Sequence, residues 1–171
     1  SEVIDAFVAG MAQAKAAGLD LSTIHSVASF FISRIDSAVD KELKAIGNET
    51  LLGKVAVANA HRAYALFLDK FNLPAWKTLA ESGALVQRPL WASTGVKDPA
   101  YSDTLYVDTL IAPHTVNTMP QSTLDAFIDH GKVKVDAITS QLESASATLA
   151  ALSALGISLE KITDALEADG V

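Results

Sequence analysis

The stretch Ile24-His25-Ser26-Val27-Ala28-Ser29-Phe30-Phe31-Ile32-Ser33-Arg34-Ile35-Asp36 decides the fold. It is short, apolar in its middle, rich in aromatic and β-branched side chains, and flanked by polar residues. That pattern predicts a buried strand running into a polar loop. A second run, Pro89 to Ser93 (PLWAS), leads into the loop TGVKDPAYSD, and a third, Tyr106 to Pro113 (YVDTLIAP), is followed by TVNT. Both read as further strands.

Amphipathic patterns surround these runs. Val3, Ile4, Phe7, Val8 and Met11 recur at helical spacing before Gly18. Ser37 with Asp40 has the form of a capping box for a helix that Gly47 stops. A longer helix is predicted over about Leu52 to Phe71, and a short one from Pro74 to Gly83. Pro120 precedes a helix closed by Gly131; an Ala-rich helix is predicted from Val135 to Leu155, and Ser158 caps a last one over Leu159 to Ala168. Apolar strands alternating with helices predict a helix-rich α/β fold with a parallel sheet of βα units. No repeat, low-complexity segment or internal boundary interrupts it. Three parallel strands leave both sheet edges open, so these units are expected to pack against more of their kind. A helical pattern that begins at residue 1 adds the expectation of a longer parent chain.

Half of the 171 residues are apolar and 19% are charged, which excludes disorder as the overall state. Thirteen basic and twenty acidic residues give a net charge of −7, a sign that repels phosphodiester backbones and anionic lipid. No nucleic-acid partner and no membrane partner are expected. The lack of cysteine excludes disulfides, thiolate metal sites and a cysteine nucleophile, and it fits a cytoplasmic location. No apolar run approaches the roughly 18 residues of a membrane span, so the expectation is a soluble protein.

Few residues carry recognisable chemistry. His25, His61, His114 and His130 lack metal-binding spacing, there is no GxSxG elbow, and neither GxxxxGK[ST] nor GxGxxG occurs. The histidines read as structural or solvated. Asp40, Glu42, Glu49, Glu143, Glu160, Asp164, Glu167 and Asp169 read as caps and solvated helix faces. Two places set hydroxyls and a cation directly after an apolar strand: Ser29 to Arg34, and Ala92 to Lys97. In a βα protein both fall at the carboxyl ends of strands, where ligands bind, and both have the donors a phosphate ester requires. The competing reading pairs Arg34 with Asp36 or Asp40, and Lys97 with Asp98; on pattern alone the two stand level. Lys15, Lys41, Lys44, Lys54, Lys70, Lys77, Lys132, Lys134 and Lys161 all fall on predicted helices, their ends or polar loops, so none is placed as a desolvated amine nucleophile.

SVASFFISRIDSAVD, RPLWASTGVKDPAYSDTLYV and IAPHTVNTMPQSTLDAF resemble the carboxyl-terminal part of bacterial transaldolases, above all the actinobacterial branch. The resemblance runs from residue 1 to the closing EADGV, and LWASTGVKDP and NTMP are its distinctive segments. It implies a TIM (β/α)₈ barrel of class I aldolase type, with the three strands as roughly the sixth to eighth. A whole barrel needs about 250 residues, so residues 1–171 are expected to be the C-terminal portion of a single barrel domain whose N-terminal half is missing here. The family's final helix beyond EADGV would be missing too.

The implied activity is that of the pentose phosphate pathway. Dihydroxyacetone passes, as a Schiff base, from sedoheptulose 7-phosphate to glyceraldehyde 3-phosphate, giving erythrose 4-phosphate and fructose 6-phosphate. No metal or organic cofactor is implied. The Schiff-base lysine belongs to the fourth strand, outside this chain, so no catalytic residue is expected here and the isolated chain is expected to be inactive. The sixth-strand pattern, roughly Ser-Pro-Phe-Val-Gly-Arg, matches Ser29, Phe31 and Arg34, with Phe30 in place of proline and Ser33 in place of glycine. Ser29 and Phe31 would line the pocket and Arg34 would bind the substrate phosphate. Ser93 matches the family serine after the next strand. Lys97 stands two positions late for a second phosphate-binding cation. The other reading of the chain is a non-catalytic βα interaction module derived from a barrel.

Overall fold

The computed structural model describes residues 2–170. Its eight α-helices and three strands run in the order α1 (Glu2–Ala16), β1 (Val27–Phe31), α2 (Ser33–Ala45), α3 (Val55–Lys70), α4 (Pro74–Ala80), β2 (Arg88–Ala92), α5 (Leu105–Asp108), β3 (Val116–Asn117), α6 (Gln121–His130), α7 (Leu142–Ala154) and α8 (Leu159–Ala168). The strands form one parallel sheet in the order β1-β2-β3, with Ser29 opposite Leu90 and Leu90 opposite Val116. This is the helix-rich α/β arrangement with a small parallel sheet that the alternation predicts.

The two faces of the sheet differ. Strand side chains alternate between faces, and β1 exposes Val27, Ser29 and Phe31 while β2 buries Pro89 and Trp91. The buried face meets α2, α3, α7 and α8 through Ile32, Val39, Tyr64, Trp91, Leu152 and Ile162. The opposite face leaves Phe31 50% exposed, an apolar side chain without cover among the described residues. A smaller cluster joins α1 to α4, where Met11, Trp76 and Leu79 are buried and Phe7 leans on the Trp76 ring.

Three elements depart from the sequence expectation. The run 106–113 is not a strand: it opens with the helical turn α5, and the third strand is Val116–Asn117. Tyr106, Val107 and Leu110 are buried at helical spacing, and a short apolar run of this kind has no periodicity that separates strand from buried helix. The pairing also demands the shift, because the Thr118 N–H donates to the Trp91 carbonyl at 2.9 Å. Helix α2 begins at Ser33 rather than at Ser37, so the expected polar loop after β1 is a helical first turn carrying Arg34. Ser37 does not cap; its hydroxyl donates back to the Ser33 carbonyl at 3.0 Å. The Ala-rich helix starts at Leu142, not Val135, after a loop in which Asp136 takes a φ of 54°. The last helix and its cap match the expectation, with the Lys161 N–H donating to Ser158 Oγ at 3.2 Å.

No single helix among the described residues is long and apolar enough to cross a membrane. The bent pair 139–154 and 159–168 reaches the length only jointly, at an angle of 89°. Leu152, Ile157 and Ile162 of that region belong to the core.

Candidate functional site

The carboxyl ends of β1 and β2 are stitched together by their continuations. The Ile32 N–H donates to the Ala92 carbonyl at 2.9 Å, the Ser33 N–H to the Ser93 carbonyl at 3.0 Å, and the two serine hydroxyls bond each other at 2.8 Å. Ser93 is thereby fixed against the first turn of α2 with a φ of 55°. A non-glycine residue in that region is uncommon, and such strained residues concentrate at functional sites.

Ser29, Phe31 and Arg34 share one open cavity of about 490 Å³. Asn59 of α3 and Thr163 and Glu167 of α8 complete its wall. Arg34 stacks its guanidinium over the Phe31 ring, 5.1 Å from the centroid. No carboxylate lies within 4.0 Å of it among the described residues, so the expected alternative of an Arg34 ion pair with Asp36 or Asp40 is not what this structure contains. Arg34 also sits on the first turn of a 13-residue helix, where backbone N–H groups and the helix dipole favour an anion.

Ser93 does not line this cavity, and Lys97 stands apart from it as well. It lines a different hollow of about 500 Å³, with Lys41, Lys44, Asp98 and Tyr101 around it. Its alternative partner is taken as well: Asp98 pairs with Lys44 at 3.0 Å, and the Ala100 N–H, with that bond, holds its carboxyl below the usual range.

Beneath that hollow lies a network absent from the sequence reading. Asp36 accepts from the Ala56 N–H at 2.7 Å and from the Tyr106 hydroxyl at 2.7 Å. Asp40 accepts from the Gly53 N–H at 3.1 Å and from the Tyr101 hydroxyl at 2.7 Å. The expectation of a solvated Asp40 is therefore corrected: it is 6% exposed and anchors the entry to α3. Burial pushes the Asp36 carboxyl up to about 6, against the two hydrogen bonds it accepts, and raises both tyrosine hydroxyls. Gly53 is required here, since its φ is 67° and a Cβ would stand 2.8 Å from the Tyr101 ring. A signal for the carboxylates did exist. On a helix, positions 36 and 40 flank Ile35, Val39 and Leu43 on the side that turns inward.

Two of the histidines differ in setting. His61 is buried on α3 with Nε2 2.9 Å from the Thr109 carbonyl. His130 is exposed at the end of α6 beside Asp103 and Asp129, whose hydrogen bonds raise its pKa. No group of three or more His, Asp or Glu side chains able to hold a metal ion occurs among the described residues.

A parallel βα sheet with polar residues gathered at its carboxyl ends defines a helix-rich α/β protein of the kind that binds ligands at its strand ends, and comparison with known proteins narrows this to one family. Residues 6–171 match the family described as Transaldolase/Fructose-6-phosphate aldolase, and the chain belongs to the transaldolase family. It is 56% identical over 172 residues to a transaldolase of Arthrobacter sp. (strain FB24), covering 99% of this chain and 46% of that protein. It is 54% identical to a transaldolase of Thermobifida fusca (strain YX), covering 99% and 47%, and 55% identical to one of Acidothermus cellulolyticus, covering 99% and 46%. The chain spans about half the length of the curated relatives it matches.

Proposed function

We propose that this chain is the C-terminal portion of a transaldolase (β/α)₈ barrel and supplies the phosphate-binding part of its active site. In this reading β1, β2 and β3 are the sixth, seventh and eighth barrel strands. The exposed face with Val27, Ser29 and Phe31 looks into the barrel, and the N-terminal half closes it. The enzyme transfers dihydroxyacetone from sedoheptulose 7-phosphate to glyceraldehyde 3-phosphate in the cytoplasm, within the pentose phosphate pathway. The observation that carries the reading is the meeting of Ser29, Phe31 and Arg34 on one cavity at the carboxyl ends of the strands.

The chemistry of these groups suits a sugar phosphate. Arg34 offers a planar fork of N–H donors to two phosphate oxygens from the positive end of the α2 dipole. Ser29 and Ser93 offer hydroxyls, and Phe31 gives the sugar carbons an apolar wall and keeps the guanidinium oriented. Lys97 lines a separate hollow and is left out of this group. Holding the phosphate end fixes the carbonyl end relative to the amine, so binding energy remote from the reacting carbon serves the reaction. Replacing Arg34 by alanine in the full-length protein should raise KM for phosphorylated donors. The loss expected for a hydrogen bond to a charged group is about 1.5–3 kcal/mol, or about 10- to 150-fold in kcat/KM. An unchanged KM removes Arg34 from the site.

The Schiff-base amine lies outside these residues in this proposal. The strands VASFF, RPLWA and VN contain no lysine, and a nucleophilic lysine needs a desolvated setting. The isolated 171 residues are therefore inactive. Borohydride reduction of the full-length protein with fructose 6-phosphate should leave a stable adduct on a peptide outside residues 1–171. An adduct on any lysine of this chain refutes the assignment.

A further inference from the structure

A third cavity, of about 390 Å³, opens between α3, α5 and α7 on the helical layer. We propose that it binds a small hydroxylated carboxylate, as a site separate from the one at the strand ends. Its volume falls within the range of small-molecule pockets. Its floor is apolar, built from Val57, Ala58, Leu105 and Ala145, and the alanines leave the room that larger side chains would fill.

Polar side chains with unused capacity line the same cavity. His61 lines the cavity and is 4% exposed, with Nε2 committed to the Thr109 carbonyl at 2.9 Å. A carbonyl only accepts, so Nε2 carries the proton and Nδ1 is left as an acceptor. Nδ1 has no protein partner among the described residues, and it is not among the side-chain atoms sealed from solvent. A ligand hydroxyl is the donor that fits it. Burial also holds the imidazole below its usual pKa, which keeps Nδ1 unprotonated at neutral pH.

The charged groups set the sign of the ligand. Lys54 and Lys134 both line the cavity. Their ammonium groups bond only to the Thr50 carbonyl and the Ser140 hydroxyl, without a carboxylate partner among the described residues. Asp108, the one carboxylate in the lining, is already occupied by the Lys132 N–H at 3.0 Å and the Thr104 hydroxyl at 2.9 Å. Asp108 keeps its negative charge and Lys134 lies near Asp136, so the lining sets two cations against one carboxylate; this net positive charge, over an apolar floor with a buried acceptor, favours an anion that carries a hydroxyl.

The test is a titration of the full-length protein with 4-hydroxybenzoate, followed by NMR on the His61 ring and the Ala58 and Ala145 methyl groups. Benzoate and methyl 4-hydroxybenzoate serve as controls that lack the hydroxyl and the charge. Shifts confined to these resonances support the site, with both controls and the Lys54→Met/Lys134→Met variant weaker by at least about tenfold. Both lysines are exposed, so that variant should keep the wild-type melting temperature. Absence of shifts at millimolar probe, shifts centred elsewhere, or equal affinity in the variant overturns the proposal. Arg34→Ala should leave this binding unchanged, so the two sites are tested independently.

Discussion

A Trp91→Ala variant is expected to lose about 3–5 kcal/mol of stability, at the upper end of what a buried aromatic truncation costs. Trp91 is fully buried at the centre of the middle strand, and Phe30 of β1 meets its ring edge-on at 6.0 Å. The indole N–H donates to the Leu110 carbonyl at 3.0 Å, and the Trp91 carbonyl receives the Thr118 N–H. One residue thus ties β1, the segment after α5 and the end of the third strand to β2. Truncation leaves a cavity and an unpartnered buried carbonyl together. Trp91→Phe separates the two effects, since it keeps most of the volume and loses only the donor, at about 1–3 kcal/mol. Urea unfolding of the full-length protein followed by circular dichroism measures both. A loss under about 1 kcal/mol for alanine, within the range of ordinary surface substitutions, would remove Trp91 as the anchor.

The same residues explain what could be read from the sequence and what could not. β1 and β2 are legible because VASFF and PLWA are short, dense in large apolar side chains and bounded by polar residues. The third strand is not legible. Val116 and Asn117 are two residues held by backbone bonds to Leu90 and Trp91, too few to make a pattern. The apolar run that drew the expectation, Tyr106 to Pro113, is buried because it packs beneath β2 and not because it pairs with it. At the site, alternation on β1 puts Ser29 and Phe31 on one face, but the place of Arg34 on the first turn of α2 is not legible, since the sequence reads there as a polar loop. The separation of Lys97 from them depends on how the 94–104 loop folds back on α2. Its contacts there, Lys44 to Asp98 and Tyr101 to Asp40, lie 54 and 61 residues apart in the chain. Such pairings have no local signature.

The second large effect is a pH-dependent one at Asp36. Its carboxyl is raised from the usual 3.8 to about 6, mainly by burial, with the nearby Asp40 charge adding in the same direction. The folded protein therefore holds this proton more tightly than the unfolded chain does. The resulting stability is fully present below pH 3.8 and is lost as pH rises through about 6. At 1.36 kcal/mol per unit, the charged carboxylate costs the fold about 3 kcal/mol above that window. Other acids of this chain, including Asp98 and Asp103, are shifted downward and act oppositely, so the wild-type curve alone does not isolate Asp36. Comparison with Asp36→Asn does. Asparagine keeps an acceptor for the Ala56 N–H and stays neutral throughout. The stability of wild type relative to Asp36→Asn should fall by about 3 kcal/mol between pH 4 and pH 7 and then level off. Asp36→Ala is different in kind, because it strands both the Ala56 N–H and the Tyr106 hydroxyl. Its cost at pH 4 should be about 2–6 kcal/mol, from about 1–3 for each orphaned donor, and it should shrink toward neutral pH as the relieved charge offsets part of it. A wild-type-minus-asparagine difference that stays flat from pH 4 to pH 7 would show that Asp36 ionises in the fold as easily as in water. The two hydrogen bonds would then balance its burial.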